Sequence, residues 1–164
     1  MLNSITIICD TREHDGKNDH ILKYFDAKKI PWKKQKLNYG DYSFYIPADE
    51  TLGIPRDLYF DKDVIIERKN SLEEISGCFT QSRDRLKKEF ALAPKNKVMI
   101  IENASYNDMV TGNYNTNYDK KSFWASYHSF WSEFNLPIMF MPDPRFTGCF
   151  IRGYFYYYVR NIIK

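Results

Sequence analysis

Cysteine is scarce in this chain of 164 residues, which has three widely spaced cysteines and no Cys-x-x-Cys pair: Cys9, Cys78 and Cys149. That count indicates neither a disulfide framework nor a zinc site, and it favours a reducing compartment such as the cytoplasm. The sequence also lacks an apolar run of the roughly twenty residues that a membrane span needs, and its N-terminus lacks the basic flank of a signal peptide. We therefore expect a soluble, cytoplasmic protein.

Glycine and proline are also sparse, with seven residues of each, while 43% of the residues are hydrophobic and 17% are aromatic. This composition excludes a fibrous repeat and a disordered chain. A length of 164 residues lets one core bury enough apolar surface to fold without disulfides or structural metals. We expect a single domain spanning residues 1–164.

Acidic and basic residues nearly balance, and the formal charge is +3, but the basic residues are unevenly distributed. Seven lysines lie between residues 17 and 36, and a second basic cluster lies between residues 83 and 88. Two interpretations are open: solvated helix faces, which charge alone favours, or the flanks of a site that binds a polyanion.

The hydrophobic patterns predict strands and helices that alternate along the chain. β-branched or alternating runs predict strands at residues 5–9, 31–37, 41–46, 64–69, 97–102 and 137–141. Helical spacing predicts helices at residues 20–25, 71–93, 123–134 and 148–163, with a break near Gly77. We expect the second and third strands to pair as a hairpin. The order predicts an α/β fold with a mixed central β-sheet flanked by helices.

Charged side chains gather at the ends of three predicted strands. Glu67 and Lys69 are two residues apart, so they share one face of a strand while Arg68 points to the other. Asp10 ends the first strand and Asp41 opens the third, so we expect both to reach the same edge of the sheet as Glu67. Three carboxylates so placed repel one another without a cation, which predicts a site for Mg²⁺ or Mn²⁺.

This predicted site has the chemistry of a phosphodiesterase. A divalent metal lowers the pKa of a bound water and stabilises the charge that develops on a scissile phosphate. Lys69 can orient the water or neutralise the anionic transition state. The mechanism needs no serine or cysteine nucleophile, and the sequence offers no obvious one.

The same residues form a motif. Gly40-Asp41 is followed after twenty-five residues by Glu67-Arg68-Lys69, and then, after three more residues, by Glu73. This arrangement resembles the signature of the XPF-type structure-specific endonucleases, the ERCC4-domain branch of the PD-(D/E)xK nuclease superfamily. Upstream, Asp10-Thr11-Arg12-Glu13 resembles the first acidic motif of that family.

The resemblance extends over about residues 7–102. Within this range, residues 79–85 also resemble the basic helical region of the family. Two positions depart from the family pattern. Glu73 stands where the family usually has Asp, and Ser82 stands before Arg83 where the family more often has Gly. The core motif is unaffected.

The resemblance implies a restriction-endonuclease-like fold and an Mg²⁺- or Mn²⁺-dependent endonuclease that cuts DNA, with flap, fork or junction DNA as substrates. The implied metal ligands are Asp10, Asp41, Glu67, the backbone carbonyl of Arg68, and Glu13. The implied catalytic residues are Asp41, Glu67 and Lys69, supported by Arg68 and Glu73. The implied DNA contacts are Arg12, Arg83 and Arg85.

Family members often carry a helix-hairpin-helix domain that binds DNA and dimerises, and this sequence has no room for one. The resemblance therefore implies a free-standing nuclease module of the kind found in phages and bacteria. The last predicted helix is apolar on more than one face, which suits a homodimer interface. Its apolar residues are Phe150, Ile151, Tyr154, Phe155, Tyr157 and Tyr158.

Plainer interpretations stand beside these roles. Asp10 and Asp41 are of a type common in turns, and Glu67 with Lys69 also fits a surface ion pair. Glu13 fits a helix N-terminus as well as a metal site. The three arginines fit structural ion pairs as well as phosphate contacts. Helical spacing favours core packing over base stacking for the aromatic residues at positions 123–134.

Two competing functions remain open, namely a non-catalytic DNA-binding or dimer scaffold of the same fold, and a nuclease acting on RNA or unbranched DNA. The retained carboxylates argue against the scaffold. Phosphate contacts look alike for every nucleic acid, so the sequence does not distinguish the substrates. The histidines lack a carboxylate or cysteine at ligand spacing, and we expect ordinary surface or core roles for His14, His20 and His128.

Overall fold

The structure is a computed structural model that describes residues 2–13 and 16–163. Its strands are β1 (Thr6–Cys9), β2 (Trp32–Lys34), β3 (Tyr42–Ile46), β4 (Leu58–Tyr59), β5 (Val64–Lys69), β6 (Asn96–Glu102) and β7 (Ile138–Met141). Its α-helices are α1 (Asp19–Ala27), α2 (Leu72–Thr80), α3 (Arg83–Leu92), α4 (Tyr106–Thr111), α5 (Lys120–Phe134) and α6 (Thr147–Ile162). Over these described ranges, none of the helices has the length and apolar character to cross a membrane.

The strands form one mixed sheet in the order β2-β1-β3-β5-β6-β7, with β4 paired to β3. The pairs β1 with β2, β5 with β6 and β6 with β7 are parallel. Strand β3 runs antiparallel to β1, β4 and β5. The predicted α/β fold with a mixed central sheet flanked by helices is therefore confirmed.

The predicted hairpin of the second and third strands is wrong, because β1 lies between β2 and β3. Ile7 and Ile8 of β1 point to opposite faces and are 1% and 0% exposed. A strand that is apolar on both faces belongs in the interior of a sheet. Strand β2 instead carries Lys33 and Lys34, and charged side chains are typical of an edge strand.

Helices cover the two faces of the sheet unequally. On one face, α1 and α6 pack on β1, β3 and β5 through a core that includes Phe25, Phe44 and Phe155. On the other, helices α2 to α5 pack on β6 and β7 around Phe79 and Phe130. In the described part of the chain, this second core takes no residue from β1 or β3. The part of the second face that β1 and β3 form therefore lies outside this core, and it borders a cleft.

The two aromatic helices mainly build these cores. In α5, Phe123 and Phe130 are fully buried, as the spacing favoured. In α6, Ile151 and Phe155 are fully buried, and most of its other aromatic side chains pack partly against the same core. Packing within its own chain therefore accounts for most of the apolar surface of α6, and Tyr157 remains 55% exposed.

The expected break within residues 71–93 is present, but it lies at Gln81–Ser82 and not at Gly77, since α2 continues through Gly77 to Thr80. The predicted N-terminal cap is present, with the Ser71 hydroxyl accepting a hydrogen bond from the Glu74 N–H at 3.1 Å. The Glu74 carboxylate accepts from the N–H of Asn70 at 2.8 Å, one residue before the cap. This cap fixes the start of α2 directly after the charged end of β5.

Candidate active site

Four charged side chains share one face of the sheet. Asp10 follows β1, Asp41 precedes β3, and Glu67 and Lys69 lie near the end of β5. Because side chains alternate along each strand, the strand register directs all four away from the core beneath α1 and α6. They line a cleft of about 320 Å³. The structure thus brings together the four residues at the centre of the predicted site.

The turn that leads into β3 requires glycine. Gly40 has φ +74°, and a Cβ there would lie 2.9 Å from Cβ of Ile65 and 3.1 Å from the carbonyl oxygen of Ile66. Any larger residue would meet both backbone strain and the main chain of β5. This close approach lets the N–H of Asp41 donate to the Ile66 carbonyl at 2.8 Å.

Asp41 joins three strands at the edge of the cleft. Its carbonyl accepts from the N–H of Asp10 at 2.8 Å, and its Oδ2 accepts from the N–H of Arg68 at 2.7 Å. The N–H and C=O of one strand residue point to the same side, so the Arg68 carbonyl also faces this edge. That orientation is the one required of a backbone metal ligand.

Asp10 is 2% exposed and is held by two partners. Its Oδ1 accepts from the N–H of Leu37 at 2.8 Å, and its Oδ2 accepts from Nε of Arg12 at 2.6 Å. Arg12 Nη2 also donates to the carbonyl of Leu37 at 2.8 Å. The carboxylate of Asp10 is therefore fixed by the segment after β2 and by a guanidinium whose side chain is 57% exposed.

Lys69 forms an ion pair with Glu67, with Nζ 3.0 Å from Oε1. Burial alone would lower the pKa of this lysine, but the charges of Glu67 and Asp41 more than offset that effect and raise it above the ordinary 10.5. In the metal-free protein Lys69 is therefore held as a cation, which can donate hydrogen bonds or neutralise an anion.

The two acids beside Lys69 are Asp41 and Glu67, and the pKa of each is raised. Burial, with repulsion from Glu67 and Glu13, raises the pKa of Asp41 well above its ordinary 3.8. Burial also raises the pKa of Glu67 above 4.5, because the attraction of Lys69 offsets it only in part. Neighbouring buried carboxylates of this kind are relieved by a bound cation.

No three carboxylate, imidazole or thiol groups in the described residues already form a metal cluster. The carboxylate of Asp10 is instead engaged by Arg12 and by the N–H of Leu37. Among the described residues, Oδ1 of Asp41 and Oε2 of Glu67 accept no hydrogen bond. A Mg²⁺ ion is usually held by one or two carboxylates and several waters, so these two acids fit such an ion.

The side chain of Arg68 lies on the opposite face of β5 and is 7% exposed. Its Nε donates to the Glu102 carboxylate, and its Nη2 donates to the carbonyl of Lys17 at 2.8 Å. Glu13, a candidate metal ligand from the sequence, has its Oε2 3.5 Å from Arg68 Nη1. The structure therefore places Glu13 with the guanidinium of Arg68 and not among the residues that line the cleft.

The sequence did not reveal Glu102, which is fully buried. Its Oε2 lies 2.6 Å from Nε2 of His20 and accepts from the Thr147 hydroxyl at 2.7 Å. The sequence offers His20 no carboxylate at ligand spacing, and the fold supplies this partner from 82 residues away in the chain. His128 contacts the hydroxyl of Tyr106 at 2.9 Å, and His14 lies outside the described residues.

The sequence model of the ERCC4 domain family matches residues 9–153, which is most of the chain and includes the whole charged cluster. The chain belongs to the ERCC4 domain family. The resemblance seen in the sequence motifs is thereby confirmed. Among curated protein sequences, none matches this chain significantly.

Solved structures of XPF have the same fold as this ERCC4 domain. XPF from Aeropyrum pernix matches with a TM-score of 0.63 and 17% identity, over 94% of this chain and 62% of that one. XPF from Aeropyrum pernix in complex with DNA matches with a TM-score of 0.67 and 16% identity, over 95% of this chain and 66% of that one. This chain thus spans slightly less than two thirds of the XPF chains that it matches.

One wall of the cleft in this ERCC4 domain is formed by α3 and the end of α2. Its residues recur at helical spacing: Cys78, Ser82, Arg85, Leu86, Glu89, Phe90 and Ala93. The guanidinium of Arg85 lies 3.4 Å from Oε1 of Glu89, and the Arg85 side chain is 82% exposed. Sequence reasoning missed Glu89, although its position one turn after Arg85 was the available signal.

Arg83 and Glu73 contact other parts of the ERCC4 domain. Nη1 of Arg83 donates to the Phe79 carbonyl at 3.2 Å and to the Ser126 hydroxyl at 2.8 Å, so the side chain points to α5 and away from the cleft. Glu73 Oε1 accepts from the N–H of Asn115 at 2.9 Å, which attaches the loop before α5 to α2. The candidate DNA contacts at the cleft are therefore Arg12 and Arg85.

Proposed function

We propose that this chain is a metal-dependent endonuclease that hydrolyses phosphodiester bonds in DNA. The observation that carries the proposal is the convergence of Asp10, Asp41, Glu67 and Lys69 in one cleft of an ERCC4 domain. The XPF of Aeropyrum pernix, which shares this fold, has been solved in complex with DNA. A cleft with three acids and a fixed cation suits an anionic substrate only if a metal offsets the carboxylates.

Asp41 and Glu67 are the proposed ligands of Mg²⁺ or Mn²⁺, and the carbonyl of Arg68 is a further one. Asp10 becomes a third carboxylate ligand if Arg12 transfers its hydrogen bond to a phosphate. When bound, the ion supplies Lewis-acid stabilisation of the scissile phosphate and lowers the pKa of a coordinated water. Two or three carboxylates match the hard oxygen coordination that such ions require.

The side chains of the domain supply the remaining parts of the reaction. Lys69 stays protonated, so its Nζ can donate to the attacking water or to a phosphate oxygen as negative charge develops. Arg12 and Arg85 lie at the mouth of the cleft and are well exposed, which suits them to bind the flanking phosphates. Hydrolysis of this kind leaves a 5′-phosphate and a 3′-hydroxyl.

Branched DNA, as in flaps, forks or junctions, is the proposed substrate class, and this refinement rests on the family alone. A homodimer through α6 also stays a proposal. The exposed apolar residues available on that helix and just after it are Tyr157, Ile162 and Ile163. Sedimentation of the wild-type chain beside Tyr157→Arg tests the dimer, since a charge at a self-association surface dissociates it.

The deciding experiment incubates purified protein with labelled single-stranded, duplex, flap, fork and junction DNA, in Mg²⁺, Mn²⁺ or EDTA. Asp41→Asn and Lys69→Ala test the two named roles, and Phe146→Leu is a control on the far side of the sheet. Cutting that requires metal and is lost in both site variants supports the proposal. Tight DNA binding without cutting of any substrate would instead favour a non-catalytic scaffold, and preferential cutting of RNA would change the substrate class.

A further inference from the structure

Three side chains outside the cleft form a cation–aromatic cluster. The rings of Tyr45 and Tyr59 stack with their centroids 5.0 Å apart and an interplanar angle of 15°. Nζ of Lys33 lies 3.9 Å from the centroid of Tyr45 and donates to the Tyr59 hydroxyl at 3.0 Å. Tyr59 is 41% exposed, so the cluster forms part of the surface.

The cluster lies on the same face of the sheet as the candidate active site. Tyr45 follows Asp41 by four residues along β3, so both side chains point to one face, about 13 Å apart at strand spacing. Tyr59 is the cross-strand partner of Tyr45 on β4. Lys33 is the register partner of Ile8, which is two residues before Asp10 on β1. One continuous face of the sheet therefore carries both the cleft and the cluster.

This arrangement has the chemistry of a site for unpaired nucleotides. An exposed aromatic ring stacks on a nucleobase of any sequence, and a neighbouring lysine binds the backbone phosphate. Paired bases inside a duplex offer no ring face to such a side chain. The lysine also fixes the rings in place, because it contacts both of them before any ligand arrives.

We propose that Lys33, Tyr45 and Tyr59 form a binding site for an unpaired segment of the DNA strand that occupies the cleft. This inference rests on the proposed function and adds that the site recognises an unpaired stretch of the DNA substrate. A strand extending from Asp41 along β3 reaches Tyr59, which supplies the ring, and Lys33, which supplies the charge. The sequence patterns indicated no role for Tyr45 or Tyr59, and Lys33 was only one of the seven lysines between residues 17 and 36.

The test measures binding of fluorescent oligothymidine by anisotropy in EDTA, and again in an Asp41→Asn background with Mg²⁺. Strands of about 4 and about 16 nucleotides separate the cleft from the full path. Tyr59→Leu keeps an apolar cover on Tyr45 but removes the stacking ring, and Tyr59→Phe keeps the ring. Phe146→Leu is the matched control, because it replaces an exposed aromatic residue on the opposite side of the sheet, beside α1 and α6.

We expect Tyr59→Leu to weaken binding of the long strand by between about 5-fold and about 150-fold, with little change for the short one. Tyr59→Phe and Phe146→Leu should bind like wild type. Lys33→Met should reduce the salt dependence of binding by about 0.7 in log–log slope, whereas Lys23→Met should not. Thermal melting of each variant verifies that the fold is retained.

Equal binding of the long strand by wild type and a folded Tyr59→Leu would overturn the proposal. This result is distinguishable from failure of the nuclease function, which appears as absence of cutting while strand binding persists. An effect of Tyr59→Leu that is equally large on the short strand would also overturn it, because the ring would then act on the cleft itself.

Discussion

Arg68 donates from Nε to the buried carboxylate of Glu102, across the parallel pair of β5 and β6 and behind the face that carries Glu67 and Lys69. The main-chain N–H of Arg68 meanwhile binds Asp41 at 2.7 Å. One residue therefore links the cleft, through its backbone, to a buried network on the other side of the sheet. Arg68 is in this sense a positioning residue.

Replacing Arg68 by Met should strongly destabilise the protein, because the buried Glu102 carboxylate would lose its permanent cation and keep only His20 and Thr147 as partners. Loss of one partner from a buried ion pair typically costs about 3–5 kcal/mol. The free energy of unfolding, measured with urea, checks this expectation. Arg145→Ala is the control, since Arg145 pairs with Asp143 at the surface and is 82% exposed. A loss equal to that of the control would contradict the structural role.

Gly40→Ala should reduce stability by about 1–3 kcal/mol, because an L-residue is strained at a positive φ and its Cβ would meet Ile65. Activity should fall as well, since this turn places Asp41. Gly153→Ala is the matched control, as nothing lies within 4 Å of a Cβ there and Gly153 sits inside α6. That control should gain about 0.5–1 kcal/mol. Equal effects of the two substitutions would show that the turn does not require glycine.

Local patterns were sufficient to predict that Asp10, Asp41, Glu67 and Lys69 lie together, but not that Glu13, Glu73 and Arg83 lie outside the cleft that those four line. The alternation of side chains in a strand placed Glu67 and Lys69 together, and strand ends placed Asp10 and Asp41 beside them. Proximity in the chain did not predict the strand order. The expected hairpin of the second and third strands is wrong, because β1 lies between β2 and β3. The evidence against it was present in β1, whose uninterrupted apolar run is typical of an interior strand.

Partners distant in sequence account for what the patterns missed. Glu102 contacts His20 and Arg68 only because α1 and β6 pack against β5, and no spacing rule connects positions so far apart. Arg83 and Arg85 looked equivalent in sequence, yet the helix turns one towards α5 and the other towards the cleft. Side-chain direction on a helix depends on its docking, which composition does not reveal.

This difference predicts opposite consequences for the two arginines. Arg85→Ala should weaken DNA binding while leaving the melting temperature nearly unchanged, because its side chain is 82% exposed. Arg83→Ala should lower the melting temperature, because it removes hydrogen bonds to Phe79 and Ser126 and the contact with the Phe130 ring. DNA anisotropy and thermal melting of both variants check this. Weaker DNA binding by a fully stable Arg83→Ala would instead assign Arg83 to the interface.

Asp41→Asn should raise the stability of the metal-free protein at neutral pH. The pKa of Asp41 is raised by burial and by its acidic neighbours, so the folded chain holds this proton more tightly than the unfolded chain. Its contribution to stability is complete below the ordinary pKa of 3.8 and is lost as the pH rises through the raised value. Asparagine avoids that loss and still accepts a hydrogen bond from the N–H of Arg68.

Thermal melting in EDTA at about pH 4 and about pH 8 checks the sign, since the gain from Asp41→Asn should appear only at the higher pH. Mg²⁺ should then stabilise wild type more than Asp41→Asn, because the ion relieves the same repulsion. Equal stabilisation of both proteins by Mg²⁺ would indicate that the ion binds elsewhere.

Lys69→Met should lower kcat by about 100-fold to about 1000-fold with little change in KM, because a fixed cation acts mainly on charge that develops in the transition state. The pH profile of wild type should show no alkaline decline from this group, since the pKa of Lys69 lies above its ordinary 10.5. At limiting Mg²⁺, activity should instead rise with pH, because protons compete with the ion for Asp41 and Glu67, whose pKa values are raised in the metal-free protein. Single-turnover cleavage rates with saturating Mg²⁺ measure the first effect, and rates at limiting Mg²⁺ measure the second. A raised KM at unchanged kcat would mean that Lys69 only binds the substrate, and the water-orienting role would have to pass to another group.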